Sequence, residues 1–180
     1  MTLKLSFELT DRDLGYFREA LRQSRNAVRH AEEAEIIDAI HQVLDDIRAN
    51  EPLPDFVALR LPQLDSLLQM LNDDEWKLPE GDRERLLATF IYFADPEDIL
   101  PDDIPVIGYL DDVIILELIA LDMRHVREAY DDFCEYRDEF DREHGKTDPA
   151  VRRDRLDRRR QRLHQRMQRR SAGENKVRLW

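Results

Sequence analysis

Leu14, Phe17, Leu21 and Val28 recur at the three-, four- and seven-residue spacing of a single helix face. Thr10 followed three residues later by Asp13 supplies a capping-box start for that helix. The stripe resumes with Ile36, Ile37, Ile40, Val43, Leu44 and Ile47 and breaks at Asn50-Glu51-Pro52-Leu53-Pro54. One continuous rod or two antiparallel helices satisfy this pattern equally. Phe56, Val57 and Leu59 predict a short helical turn, and Pro62 suits the opening position of a helix carrying Leu64, Leu67, Leu68 and Leu71. Asn72-Asp73-Asp74 ends it. After Pro79 and Gly81, Leu86, Leu87, Phe90 and Ile91 mark another apolar face.

The apolar positions from Val113 through Ile119, Met123, Val126, Tyr130 and Phe133 to Phe140 predict one long helix. Its first half is apolar almost all round, and its second half carries one stripe with acids opposite, so the first half should be central core. Gly145 and Asp148-Pro149 stop it. Sustained period-two alternation is missing everywhere, so the expected fold is all-α. We expect a compact helical bundle, a Pro/Asp-rich hinge opening a long buried helix, and a basic C-terminal arm that is helical or disordered.

The hinge, residues 95–112, reads DPEDILPDDIPVIGYLDD. Each proline fixes its own φ, removes a donor and biases the preceding residue away from helix, so no regular helix crosses this stretch. Asp95-Pro96-Glu97-Asp98 has the form of an N-cap, a proline at the first position and an acid at the third. Asp111 and Asp112 fall in the opening turn of the next helix, where negative charge complements the macrodipole. The placed residues are Asp95, Pro96, Asp98, Pro101, Asp102, Pro105, Gly108, Asp111 and Asp112. From Pro96 to Asp112 their spacing resembles the signature of the YkvA-type family of bacterial proteins, a domain of unknown function. The resemblance spans roughly residues 86–121. It implies a small helical domain, in some members associated with membranes, with no established activity. Asp103 departs from the bulky apolar residue the resemblance implies there, which adds a charge to the hinge.

With 180 residues the chain can bury about two-thirds of its unfolded surface, enough for a true core. Hydrophobic residues are 42% and charged residues 38%, which forces the apolar positions into stripes. The N-terminus lacks a signal-peptide pattern, so a cytoplasmic protein is expected, with peripheral membrane contact as the alternative. The most apolar segment, 104–121, contains Asp111, Asp112 and Glu117. Central acids cost roughly 2.5–3.5 kcal/mol each on the insertion scale against about 0.3–0.6 returned per Leu or Ile, so it is not expected to span a membrane.

Net charge is −12, divided unevenly. Residues 151–180 hold 12 basic and 3 acidic side chains, a balance of +9, leaving −21 on residues 1–150. We therefore expect an acidic helical domain over 1–149 and an Arg-rich arm over 150–180. The arm's arginines, Arg152, Arg153, Arg155, Arg158, Arg159, Arg160, Arg162, Arg166, Arg169 and Arg170, are candidate anion binders for nucleic acid or an anionic membrane surface. Docking of the arm on its own acidic body, disorder, a protein partner and self-association are the competing expectations.

Asp98, Asp102, Asp111 and Asp112 could converge on Mg²⁺ or Ca²⁺ as oxygen ligands, or could instead cap helix ends and bind backbone amides. Asp38-x-x-His41 and Asp122-x-x-His125 have the spacing of di-iron bundles, but the acids are Asp and each His lies beside its stripe, which makes them helix-flank residues. Cys134, the only cysteine, lies among Asp131, Asp132 and Glu135, which disfavours a thiolate. There is no nucleophile elbow, phosphate loop or zinc-protease motif, so no catalytic residue is assigned and no cofactor is called for. The expected function is a non-enzymatic interaction or regulatory module; the alternatives are a divalent-cation-dependent enzyme or sensor using the hinge aspartates, and an anion binder acting through the arm.

Overall fold

The computed structural model describes residues 6, 8–49, 53–95, 108–145 and 147–172. Helices alone occupy the regular structure among these residues, so the fold is all-α as expected. In chain order they are α1 (Asp11–Val28), α2 (Glu33–Ala49), α3 (Asp55–Ala58), α4 (Leu61–Asn72), α5 (Glu80–Ala94), α6 (Leu110–Asp122), α7 (Arg124–His144) and α8 (Pro149–Ala172). The Thr10 N–H donates to the Asp13 carboxylate at 2.8 Å, and the Asp13 N–H returns to Thr10 Oγ1, which completes the capping box of α1. A turn at residues 29–32 separates α1 from α2, so the early stripe forms two helices and not a rod. Both pack on α5.

α5 is central because its apolar residues surround it. Leu86, Leu87, Ala88, Thr89 and Phe90 are buried in succession, and the Thr89 hydroxyl is satisfied by donating to the Arg85 carbonyl at 2.8 Å. Charged pairs ring the packed faces. Arg25 of α1 makes a two-pronged contact with Glu84 of α5 at 3.1 and 2.9 Å, and Arg83 joins Glu33 of α2 while donating to the Leu71 carbonyl at the end of α4. No helix among the described residues is long and apolar enough to cross a membrane.

The expected single helix through Val113 and Phe140 is two helices, a correction. Met123 breaks it with φ −96° and ψ 11°, while its side chain stays fully buried. Neither proline nor glycine marks the break. α6 is buried on several sides, at Ile115, Leu116, Leu118 and Ile119, whereas α7 buries one face at Val126, Ala129, Tyr130 and Phe133. A change of direction at Met123 lets each part meet the core on its own terms.

α7 ends at Gly145, where an added Cβ would stand 3.0 Å from the Asp141 carbonyl oxygen. Asp148 then accepts a hydrogen bond from the Ala150 N–H at 2.7 Å, so the Asp-Pro pair starts α8 as well as separating it from α7. α8 returns antiparallel along α7: Arg152 pairs with Asp141, Arg166 with Asp132 and Arg170 with Glu128. Leu156, Leu163 and Met167 are buried beneath it.

Candidate functional site

Four of the hinge residues fall within the described structure. Pro96, Asp98, Pro101, Asp102, Asp103 and Pro105 lie outside the described residues. Asp95 is the C-cap of α5, its N–H bonded to the Tyr92 carbonyl, and the turn expected to follow it lies outside the described residues. Gly108 is buried. Asp111 and Asp112 occupy the first turn of α6 as expected. Asp111 is only 2% exposed and accepts a hydrogen bond from the Tyr92 hydroxyl at 3.0 Å, tying the end of α5 to the start of α6. Asp112 lines a narrow apolar cleft of about 50 Å³ between α2, α3, α4 and α6, with Phe93, Tyr109 and Val113 beside it. That volume is far below the roughly 300–1,000 Å³ of small-molecule sites. Arg60 at its rim is held by Glu117 at 2.8 Å and the Phe56 carbonyl at 2.9 Å.

Two more polar contacts frame the segment. Arg85 of α5 reaches Asp82 at 3.3 Å and the buried Asp122 of α6 at 3.5 Å. His125 is 4% exposed and its Nδ1 lies 3.6 Å from Glu128, so it is a buried residue and not the helix-flank residue expected; His41 is exposed. No group of three or more His, Cys, Asp or Glu side chains is placed to hold a metal ion among the described residues.

Residues 85–118 match a family model. It is described as a protein of unknown function (DUF1232), and it covers α5 from Arg85, the hinge, and α6 to Leu118. No curated protein and no solved structure matches the chain. The matched segment therefore contains most of α5, the buried Tyr92–Asp111 contact and the start of α6.

A second cluster lies outside that segment, and the sequence reading missed it. At the turn after α4, Asp73 Oδ1 accepts the N–H groups of Glu75 and Trp76, both at 2.9 Å, an Asx-turn that aims Trp76 into the core. Its Oδ2 accepts the Tyr130 hydroxyl at 3.1 Å and the Arg137 guanidinium at 2.7 Å. Burial alone would raise the Asp73 carboxyl, but the Trp76 N–H and Arg137 outweigh it and hold the group below the usual carboxylate range. Trp76 is fully buried against Tyr130, Phe133 and, edge-on at 4.5 Å between centroids, His164 of α8. Burial, then the nearby Arg160 charge, pushes the His164 imidazole down. The legible signal was a lone tryptophan three residues after an aspartate that ends a helix. Burial, and to a smaller extent the Asp73 and Asp138 charges, also push the Cys134 thiol up, the direction expected, although the acids named from the sequence are not the ones responsible.

Glu75 fastens α8 to this turn. Its carboxylate takes Arg137 at 3.2 Å and Arg152, and its carbonyl takes Arg160 at 2.8 Å. The ten candidate arginines accordingly divide by face. Arg152, Arg160, Arg166 and Arg170 hold α8 to the body, and Arg159 lies over the Tyr136 ring at 5.2 Å. Arg158 pairs within α8 to Asp154 at 2.9 Å and stays 63% exposed. Arg153, Arg155, Arg162 and Arg169 are exposed, without an ion pair or hydrogen bond among the described residues.

Proposed function

We propose that this protein is a non-catalytic helical interaction module that presents a basic surface on α8, with the DUF1232 segment as the frame. One observation carries the reading: α8 uses its arginines in two ways, the inner ones fastening it to Glu75, Asp141, Asp132 and Glu128 and the outer ones facing solvent. Within the outer set Arg153, Arg155, Arg162 and Arg169 have no ion pair among the described residues, so their charge is open to an external anion. Fixing the helix by its inner face presents the outer guanidinium groups with little further ordering cost. Asp95 at the C-cap of α5 and Asp111 in the first turn of α6, bonded to the Tyr92 hydroxyl, support the view that these hinge aspartates shape helix ends.

Heparin chromatography of the full chain tests this directly. The salt needed for elution should fall clearly in Arg155→Gln/Arg158→Gln/Arg162→Gln/Arg169→Gln, with the helical circular dichroism unchanged. Identical elution of variant and parent would reject the reading. Calorimetry with Mg²⁺ and Ca²⁺ separates it from a cation sensor: binding heat lost in Asp111→Asn and Asp112→Asn would favour the sensor built on Asp98, Asp102, Asp111 and Asp112.

A further inference from the structure

We infer that the outer face of α8 binds the phosphate backbone of double-stranded nucleic acid without reading its sequence, an inference that rests on the basic-surface reading above. Arg155, Arg162 and Arg169 recur every seven residues and are exposed. At 3.6 residues per turn and 1.5 Å per residue they form a row about 21 Å long and within about 40° of one angular position. Arg158 falls in the same row, one turn after Arg155, and its pairing to Asp154 is exposed enough to exchange for another anion. The two acids of α8, Asp154 and Asp157, are already paired with Arg158 and Arg160.

Three features choose the occupant. All the basic side chains of α8 are arginine, whose planar fork matches phosphate oxygens bidentately. α8 itself contains no Phe, Trp or Tyr; Tyr136, Phe140 and His144 of α7 line the cavity beside Arg155, which does not include Arg162 or Arg169, so most of the row offers no stacking platform of its own for the unpaired bases of a single strand. Its apolar stripe, Leu156, Leu163 and Met167, is buried, so the face that an interfacial helix inserts into a bilayer is occupied by the protein's own core. A row of guanidinium groups on a docked helix, with its apolar stripe buried and no aromatic side chain of its own, suits a duplex backbone. Glu139 and Glu143 line the same cavity as Arg155, so Arg162 and Arg169 should contribute more than Arg155.

Fluorescence anisotropy of the full chain with a labelled DNA duplex of about 20 base pairs tests the inference. With three to four phosphates neutralised, log K should fall against log salt with a slope of about −3 to −4, so a fourfold rise in salt weakens binding about 100-fold. Arg155→Gln/Arg162→Gln/Arg169→Gln should flatten that slope by about 2.7 with no change in melting temperature. Arg12→Gln/Arg29→Gln, on α1 and at its C-cap and also exposed, should leave it as it is. Absence of salt-sensitive duplex binding, binding that survives the triple change, or equal or tighter binding to phosphatidylserine vesicles would overturn the inference. If heparin retention still depends on these arginines, the duplex inference alone falls; if retention is indifferent too, both fall.

Discussion

Asp73 accepts four hydrogen bonds on two oxygens, from Glu75, Trp76, Tyr130 and Arg137, and in doing so joins the turn after α4 to α7. Asp73→Ala takes an acceptor from two amide donors and a buried hydroxyl and leaves Glu75 as the ion-pair partner of Arg137, and the expected loss is about 3 kcal/mol in urea unfolding. Because its carboxyl is held low, its contribution is complete above the ordinary value of 3.8 and is lost as pH falls through the lower folded value. Asp73→Asn should therefore flatten the acid limb of stability against pH relative to the parent. Four residues later Lys77 has φ 51°, in the left-handed region, and is exposed. Lys77→Gly should remove that strain without disturbing a contact, raising stability by about 0.5 kcal/mol once the greater freedom of glycine in the unfolded chain is counted. A melting temperature unchanged or lowered would show that the backbone there is not strained.

At the scale of elements, periodicity made α1, α2, α4 and α5 legible as apolar stretches, and Pro or Asn-Asp marked the ends of α2 and α4, but the turn at residues 29–32 carries no such residue and left a rod and two helices equally open. The break at Met123 was not legible, since it arises from α6 and α7 meeting different neighbours and no helix-breaking residue records it. The docked face of α8 was half legible: Leu156, Leu163 and Met167 gave the stripe, but Glu75 and Trp76 come from a turn some 80 residues earlier, and local spacing carries no such information. His164, at the centre of that contact, gives α8 a pH dependence. Its neutral ring is packed on Trp76 with Arg160 nearby, and its folded pKa lies below the ordinary 6.5. The unfolded state then binds the extra proton first, so stability is complete above about pH 6.5 and declines as pH falls toward the folded value. Urea unfolding from pH 7.5 to 5 should show this decline, and His164→Phe, which keeps a ring on Trp76, should abolish it.

For the molecule as a whole, charge divides the chain at 149 into an acidic body of −21 and, over its last 30 residues, an arm of +9, and the division proposes two units. Physical continuity argues for more coupling than charge implies. Trp76 is fully buried with α8 as one of its walls, and Arg152 bridges Glu75 on the turn to Asp141 on α7, so opening α8 uncovers part of the body's own core and strands several charges. Cooperative units are set by shared burial, not by composition. Native-state hydrogen exchange at increasing urea distinguishes the two descriptions. We expect the amides of α8 between Leu156 and Met167 to merge with those of α7 around Phe133 in one global opening, with the same free energy and the same urea dependence. An arm that exchanged through its own smaller opening would make the basic helix a detachable unit, and the outer arginines would then be presented on a mobile tether instead of a fixed row.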